Sequence, residues 1–108
     1  MAEVYQRLGT VASVVGTNLA DNGATANTWT IISSIIICNT SSTAYTYSIA
    51  TSTVSGAGQT HIAFSAPIAG YDTVVLVAGV CLDPTNRYLV AYSSNAAVQI
   101  SAFGVKGP

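Results

Sequence analysis

The stretch Thr28–Ala50, TWTIISSIIICNTSSTAYTYSIA, decides the fold class. Its first run, from Thr28 to Cys38, consists mainly of Ile, Thr and Ser with one Trp. β-Branched residues lose side-chain freedom in a helix and fit a pleated surface, so this run predicts a strand. Apolar residues occur at both odd and even positions, so we expect the strand to be covered on both faces.

The second half of the stretch predicts a partner strand. The polar residues NTSS at 39–42 predict a short turn, because their side chains can bond their own backbone. After the turn, Tyr45, Tyr47 and Ile49 alternate with small or hydroxyl residues, which is the period of a half-buried strand. The stretch therefore predicts two β-strands joined by a polar turn.

The rest of the chain repeats this pattern. Glycine, proline and Asx-rich turn signals recur about every ten residues, and no segment has the apolar spacing of a helix. Further strands are predicted at 3–15, 59–66, 72–80, 88–93 and 98–105, with loops at 16–27 and 51–58. The first of these loops contains Asp21-Asn22-Gly23, a strong turn signal. The pattern predicts an all-β, single-domain β-sandwich of seven to eight strands, jelly-roll or immunoglobulin-like, over residues 1–108. Residues 1–8 are a candidate N-terminal arm that could add a strand to a neighbour's sheet.

Two predicted strands carry specific expectations. In the first, Gly9 is expected to mark a bulge or a bend. In the strand at 59–66, alternation places Ile62, Phe64 and Ala66 inward and His61 outward, and Pro67 is expected to end the strand.

Charged residues are unusually scarce. The chain has three Lys or Arg and four Asp or Glu among 108 residues, whereas Ser and Thr make up about a quarter of it. An ordinary soluble domain is roughly 25% charged and uses those charges to protect its sheet edges. We therefore expect much of the surface to be buried against other subunits, with an uncharged hydroxyl surface covering the remainder.

The charge pattern also argues against nucleic acid and membrane partners. Binding to phosphate requires a Lys/Arg patch, whereas Arg7, Arg87 and Lys106 are far apart in sequence. The apolar run at 31–38 is interrupted by serines and is too short to cross a bilayer. No signal peptide is recognised at the start of the sequence, which predicts synthesis in a cytoplasm.

Because a cytoplasm keeps thiols reduced, Cys38 and Cys81 are predicted to be buried thiols, with a disulfide between them as the alternative.

No residue pattern predicts catalysis, a cofactor or a metal. His61 is the only histidine, and its predicted outward position favours an exposed or interface residue over a general base. Two cysteines and one histidine match no structural zinc spacing. The acidic residues are scattered, so they form neither a calcium loop nor a predicted carboxylate pair.

The aromatic residues leave two alternatives open. The chain has six Tyr and one Trp, and aromatic residues on strands favour core or subunit-interface packing. A sugar-binding platform, which also uses exposed aromatic rings beside polar groups, is the alternative. Tyr71 lies at a strand start and fits either role.

Three segments resemble a family of small virion proteins of tailed bacteriophages. They are SIIICNTSSTAYTYSIA at 34–50, APIAGYDTVVLVAGVCLDPTNRYLVAYSS at 66–94 and NAAVQISAFGVK at 95–106. Family features include a strand ending in Cys-Asn, a Pro-Ile-Ala turn before a Val/Leu strand, and a Ser-Ala-Phe-Gly ending, here at 101–104. The resemblance carries no catalytic motif. It implies a structural role on the capsid or in the neck, tail or fibre.

The first functional hypothesis is a non-enzymatic capsid decoration (cement) protein. It would be made in the host bacterial cytoplasm, form a homo-oligomer such as a trimer, and bind the major capsid protein or other virion proteins. The predicted interface anchors are Trp29, Ile36, Tyr45, Tyr47 and Phe103. The second hypothesis is a tail, neck or fibre subunit whose loops at 16–27 and 51–58 contact a receptor or glycan. A small hydrolase is a third hypothesis without a supporting motif.

Overall fold

A computed structural model describes residues 5–57 and 59–107 of the chain, apart from the side chain of residue 78. These residues form eight β-strands and no helix. The strands are β1 (Tyr5–Val11), β2 (Thr17–Asp21), β3 (Trp29–Asn39), β4 (Tyr45–Ser52), β5 (Thr60–Ile68), β6 (Thr73–Leu82), β7 (Tyr88–Ser93) and β8 (Val98–Gly107). The predicted all-β class is confirmed.

The strands form two four-stranded antiparallel sheets. The first sheet has the order β1-β8-β3-β6 and the second has the order β2-β7-β4-β5. Only β4 and β5 are both consecutive in sequence and adjacent in one sheet, whereas every other connection crosses from one sheet to the other. This order is the jelly-roll topology, a sandwich of two Greek keys. It differs from the immunoglobulin arrangement, in which the first two strands are neighbours in one sheet.

The core lies between the two sheets and is aliphatic. Alternate residues of the central strands β3, β4, β7 and β8 point into it. Burial of these side chains supplies the main stabilising free energy of the sandwich. Its largest fully buried apolar members are Leu19, Ile32, Ile35, Ile37, Ile49, Ile68, Leu82, Leu89, Ile100, Val90 and Val98.

The central strand β3 confirms the prediction of two-sided covering only in part. Its inward residues Ile32, Ile35 and Ile37 are fully buried, whereas Ile36 is half-buried and Ile31 is 40% exposed. The register with both neighbouring strands shifts between Ile32 and Ser34, which marks a β-bulge. The outward face of β3 is therefore apolar but open.

The structure corrects the loop prediction at 16–27, because that segment contains strand β2 at Thr17–Asp21. Only Leu19 and Ala20 are buried within β2, so the five-residue strand has no apolar alternation to detect. The turn after it is as predicted: Gly23 has a φ of 88° and its N–H donates to Asp21 Oδ1 at 2.8 Å.

Strand β5 differs from prediction in both its end and its orientation. It continues through Pro67 to Ile68, which an edge strand tolerates because the missing N–H can face away from the neighbouring strand. Register shifts around Ile49 of β4 interrupt the expected alternation. Ala63 packs against the core in place of Ile62 and Phe64, which are 41% and 67% exposed, whereas Ala66 faces the core as predicted.

The first strand behaves as predicted at Gly9. The register of β1 with β8 shifts between Arg7 and Gly9, and a Cβ at Gly9 would overlap the carbonyl oxygen of Leu19. Residues 5–7 of the proposed N-terminal arm pair with β8 of the same chain, residue 8 lies in the bulge, and residues 1–4 lie outside the described residues.

Candidate assembly interface

The outward face of the first sheet carries few charged side chains. Residues that pair across β1, β8, β3 and β6 lie side by side, so their side chains form rows that cross the strands. We call this surface the outer face; its rows are Tyr5-Val105-Ile31-Cys81, Arg7-Phe103-Ser34-Val77, Thr10-Ser101-Ile36-Val75 and Gln99-Cys38-Thr73. Arg7 is the only charged residue in these rows.

Two side-chain hydrogen bonds confirm this alignment. The hydroxyls of Tyr5 and Ser34 are 3.2 Å apart, so the Tyr5 side chain reaches across β8 to β3. The hydroxyls of Thr10 and Ser101 are 3.1 Å apart on the adjacent pair of strands. The outer face thus combines aliphatic side chains with neutral hydroxyls that already have partners.

Exposure on the outer face is greatest along the edge strand β6. Val77 is 88% exposed and Val75 is 57% exposed, and Ile31 on the neighbouring strand is 40% exposed. Scattered exposed apolar residues are normal, but a contiguous apolar surface is typical of protein contacts. Val75, Val77 and Ile31 lie in successive rows on the paired strands β6 and β3, so exposed aliphatic side chains recur across this part of the outer face.

Three of the five predicted anchors lie on this face. Ile36 and Phe103 are half-buried within its rows. Trp29 pairs with Gly107 at one end of the face, where a Cβ on Gly107 would overlap the indole ring. Gly107 therefore lets the Trp29 ring lie flat across β8.

The other two predicted anchors lie on the second sheet. Tyr47 is 5% exposed and belongs to the core, and Tyr45 is half-buried against that core. Their side chains leave little surface for a partner, because the inward face of β4 carries them between the two sheets. The structure thus separates Trp29, Ile36 and Phe103 from the two tyrosines.

Sequence reasoning missed Val75 and Val77, the most exposed aliphatic residues in the rows of the outer face. The run TVVLVAGVCL at 73–82 is apolar at odd and even positions alike. That signal predicts a covered strand, but only the sheet order places β6 at an edge. Position at the edge explains why its outward valines are open.

Both cysteines are free thiols on the outer face, so the disulfide alternative is not realised. Cys38 pairs with Thr73 and Cys81 pairs with Ile31, at opposite ends of the β3–β6 ladder. The prediction of two buried thiols is wrong, since Cys81 is exposed and Cys38 is only partly covered. Cys81 lies on the edge strand β6, whereas Cys38 lies on the open outward side of the central strand β3.

A smaller aromatic cluster lies on the opposite surface of the sandwich. The rings of His61 and Phe64 meet edge to face with centroids 4.8 Å apart. Tyr92 Oη and His61 Nε2 are 3.5 Å apart, at the limit of a hydrogen bond. Ser65, with a φ of 47°, donates its N–H to Ser48 Oγ at 2.9 Å, which fixes the backbone beside the Phe64 ring. His61 is exposed, as predicted.

Charged residues meet at one end of the sandwich. Arg87 Nε and Nη2 donate to Asp21 Oδ1 and Oδ2 at 2.5 and 3.0 Å, and Lys106 Nζ donates to Asp21 O at 2.9 Å. Hydrogen bonding from Arg87, aided by the Gly23 backbone, lowers the pKa of the Asp21 carboxyl despite partial burial. These contacts join β2, β7 and β8, so we assign them a structural role.

Among the described residues, no three His, Cys, Asp or Glu side chains lie close enough to hold a metal ion. The described part of the chain also has no helix that is long and apolar enough to span a membrane. Comparison of the chain with protein-family models, with curated proteins and with solved structures gives no match.

Proposed function

We propose that the protein is a non-enzymatic structural subunit of a tailed-bacteriophage virion, most specifically a decoration protein that oligomerises on the capsid. The outer face carries this proposal. It presents Val75, Val77 and Ile31 in adjacent rows with a single charge, Arg7. Burial of such a surface against a partner lowers the free energy of the system, because its apolar side chains leave water. Jelly rolls also occur among capsid domains, an analogy at the level of fold alone.

The mechanism of stabilisation is mass action. A subunit that binds the assembled shell but not its separated components stabilises the shell by its binding free energy. Many copies, each binding weakly, can together stabilise a particle strongly because the contacts are multivalent. In this proposal Phe103, Ile36 and Trp29 lie within the contact and the exposed aliphatic residues surround them.

Copy number and shell stability test the proposal. We expect hundreds of copies per particle by quantitative mass spectrometry. We also expect added protein to raise the temperature at which shells release DNA. Ile31→Lys should abolish that increase, because it places an ammonium group in the contact. Val14→Lys is the matched control, since Val14 is 57% exposed in the β1–β2 loop, away from the outer face.

Two results would contradict the proposal. A few dozen copies at one vertex, or shells unaffected by the protein, would contradict a decoration role.

The second candidate function is a tail, neck or fibre subunit that contacts a glycan. The cluster of His61, Phe64 and Tyr92 favours it, because sugars stack on exposed aromatic rings and bond to adjacent polar groups. A glycan array with wild-type protein and Phe64→Ala tests it. Binding that is lost in Phe64→Ala but kept in Ile31→Lys would support this role, and absence of binding to every glycan would contradict it.

A further inference from the structure

The four sheet edges of the sandwich differ in how well they are protected against pairing. The β1 edge carries a bulge and Arg7, and the β2 edge is only five residues long. The β5 edge carries Pro67, two register shifts and Ser65 in the left-handed region. Bulges, proline, charge and short length are the common devices that block strand addition.

The β6 edge has none of these devices over its first half. Thr73–Val77, with the sequence TVVLV, pairs with β3 in unbroken register from Cys38 to Ser34. This segment has no charge and no proline. An uncharged, regular edge strand with exposed aliphatic side chains is a template for another strand.

Hydrogen-bond direction shows which groups face outward. Asn39 N–H donates to the carbonyl of Asp72 at 2.9 Å, so the backbone of Asp72 faces β3. Backbone direction alternates along a strand, so the N–H and C=O groups of Thr73, Val75 and Val77 point out of the sheet. The N–H of Thr73 bonds to Asp72 Oδ1 at 2.9 Å, which agrees with this assignment.

We propose that Thr73–Val77 pairs antiparallel with the same segment of a second copy, about a two-fold axis at Val75. This inference rests on the proposed function as an assembling subunit and names the contact between copies. Val75 would face Val75 of the partner subunit, and Thr73 would face Val77 of the partner subunit. All these positions direct their backbone groups outward, so about four to six hydrogen bonds form across the axis.

Side chains on both faces of the segment suit a second copy. On the outer face the axis brings together Val75 and its symmetry mate, and covers Val77, the most exposed aliphatic residue. On the inner face Val74 would lie beside Leu76 of the partner subunit, and both are half-buried against the core. Paired β-branched residues on neighbouring strands stabilise a sheet.

Charge also favours this register. Asp72 is the nearest charged residue to the axis, three positions away. The two Asp72 carboxylates would therefore lie six residues apart along the strand direction, about 20 Å. At physiological salt that distance exceeds the screening length of about 8 Å, so repulsion between them is weak.

Sedimentation equilibrium over about 1 µM to 1 mM tests the pairing. An edge contact is smaller than the roughly 800 Å² per partner of a standard interface, so we expect a weak, concentration-dependent dimer. Val75→Lys places two ammonium groups on the axis and should weaken dimerisation at least about tenfold. Val14→Lys, at an equally exposed valine, should leave it unchanged.

A cross-link tests the register. In a background with Cys38→Ser and Cys81→Ser, Val75→Cys should form a covalent dimer on oxidation, because directly opposed Cα atoms about 5.5 Å apart allow a disulfide. Val14→Cys should not. A monomer at every concentration, a trimer, or dimerisation unaffected by Val75→Lys would overturn the pairing. A protein that stayed monomeric yet still stabilised shells would end this inference and leave the proposed function standing.

Discussion

Arg87 and Asp21 form a two-point ion pair, with Nε to Oδ1 at 2.5 Å and Nη2 to Oδ2 at 3.0 Å. The pair joins the end of β2 to the start of β7, and Asp21 also accepts from the Gly23 backbone. In a chain with seven charged residues, this is where opposite charges meet among the described residues. The contribution of the ion pair to the stability of the fold can be measured from its dependence on pH.

The first prediction concerns the pH dependence of this pair. Folding lowers the pKa of Asp21, chiefly through hydrogen bonding from Arg87. Its contribution is therefore present above the unfolded pKa of about 3.9 and is lost as pH falls through the folded pKa. We expect Asp21→Asn to lower Tm by about 2–5 °C at pH 7, since the pair is partly exposed.

Thermal denaturation followed by circular dichroism at pH 7 and at acidic pH measures this difference, which should shrink toward zero in acid. The double variant Asp21→Asn with Arg87→Gln should be scarcely less stable than either single variant. A Tm difference that stayed constant across pH would contradict the assignment.

The second prediction concerns the buried amide of Asn39. This side chain is 1% exposed, and its Nδ2 donates to Thr43 O at 2.8 Å and Ala69 O at 3.2 Å. Its Oδ1 accepts from Ser41 N–H at 3.0 Å. Asn39→Ala would remove these three hydrogen bonds together with a fully buried side chain and should cost about 2–4 kcal/mol in the free energy of unfolding.

Urea denaturation provides the measurement. Asn95→Ala is the comparison, because Asn95 is only partly buried and its side chain accepts one bond, from Ala97 N–H at 2.9 Å. We expect that variant to lose about 1 kcal/mol or less. Equal losses at the two positions would show that Asn39 does not hold the turn and the β5–β6 loop together.

The third prediction contrasts two glycines of the first sheet, on the strands β8 and β6 that flank β3. A Cβ at Gly104 would overlap the carbonyl oxygen of Ile31, whereas a Cβ at Gly79 would meet nothing within 4 Å. Gly104→Ala should therefore destabilise the protein by about 2–4 kcal/mol, because backbone must move at the β3 bulge. Gly79→Ala should change stability by less than about 1 kcal/mol. Denaturant titrations of both variants measure these free energies of unfolding. Similar losses of stability in the two variants would contradict the prediction.

The fourth prediction concerns the thiols. Cys81 is exposed and Cys38 is partly covered, and neither is in a disulfide. A thiol-reactive chromogenic reagent should modify Cys81 within the first phase and Cys38 more slowly, because access limits the rate. Cys81→Ser should remove the fast phase alone. Fewer than two reactive thiols in denaturant without reductant would indicate a disulfide and contradict the structure.

Sequence periodicity by itself determined the fold class and most of the strands. Tyr88–Ser93 was predicted with the bounds that the structure has, and Asp21-Asn22-Gly23 was predicted as a turn. Strand β2 was missed because Leu19 and Ala20 are its only buried residues. A local pattern identifies a strand when one face is continuously apolar, and five residues are too few to show that pattern.

The tertiary structure alone decided which strands are edges and which faces stay open. Val77 and Ile35 look alike in sequence, each an aliphatic residue in a β-branched run, yet one is 88% exposed and the other is fully buried. Ile35 lies in a central strand facing the second sheet, whereas Val77 lies in an edge strand facing outward. Strand order depends on contacts between residues far apart in the chain, and alternation along one strand carries no information about them.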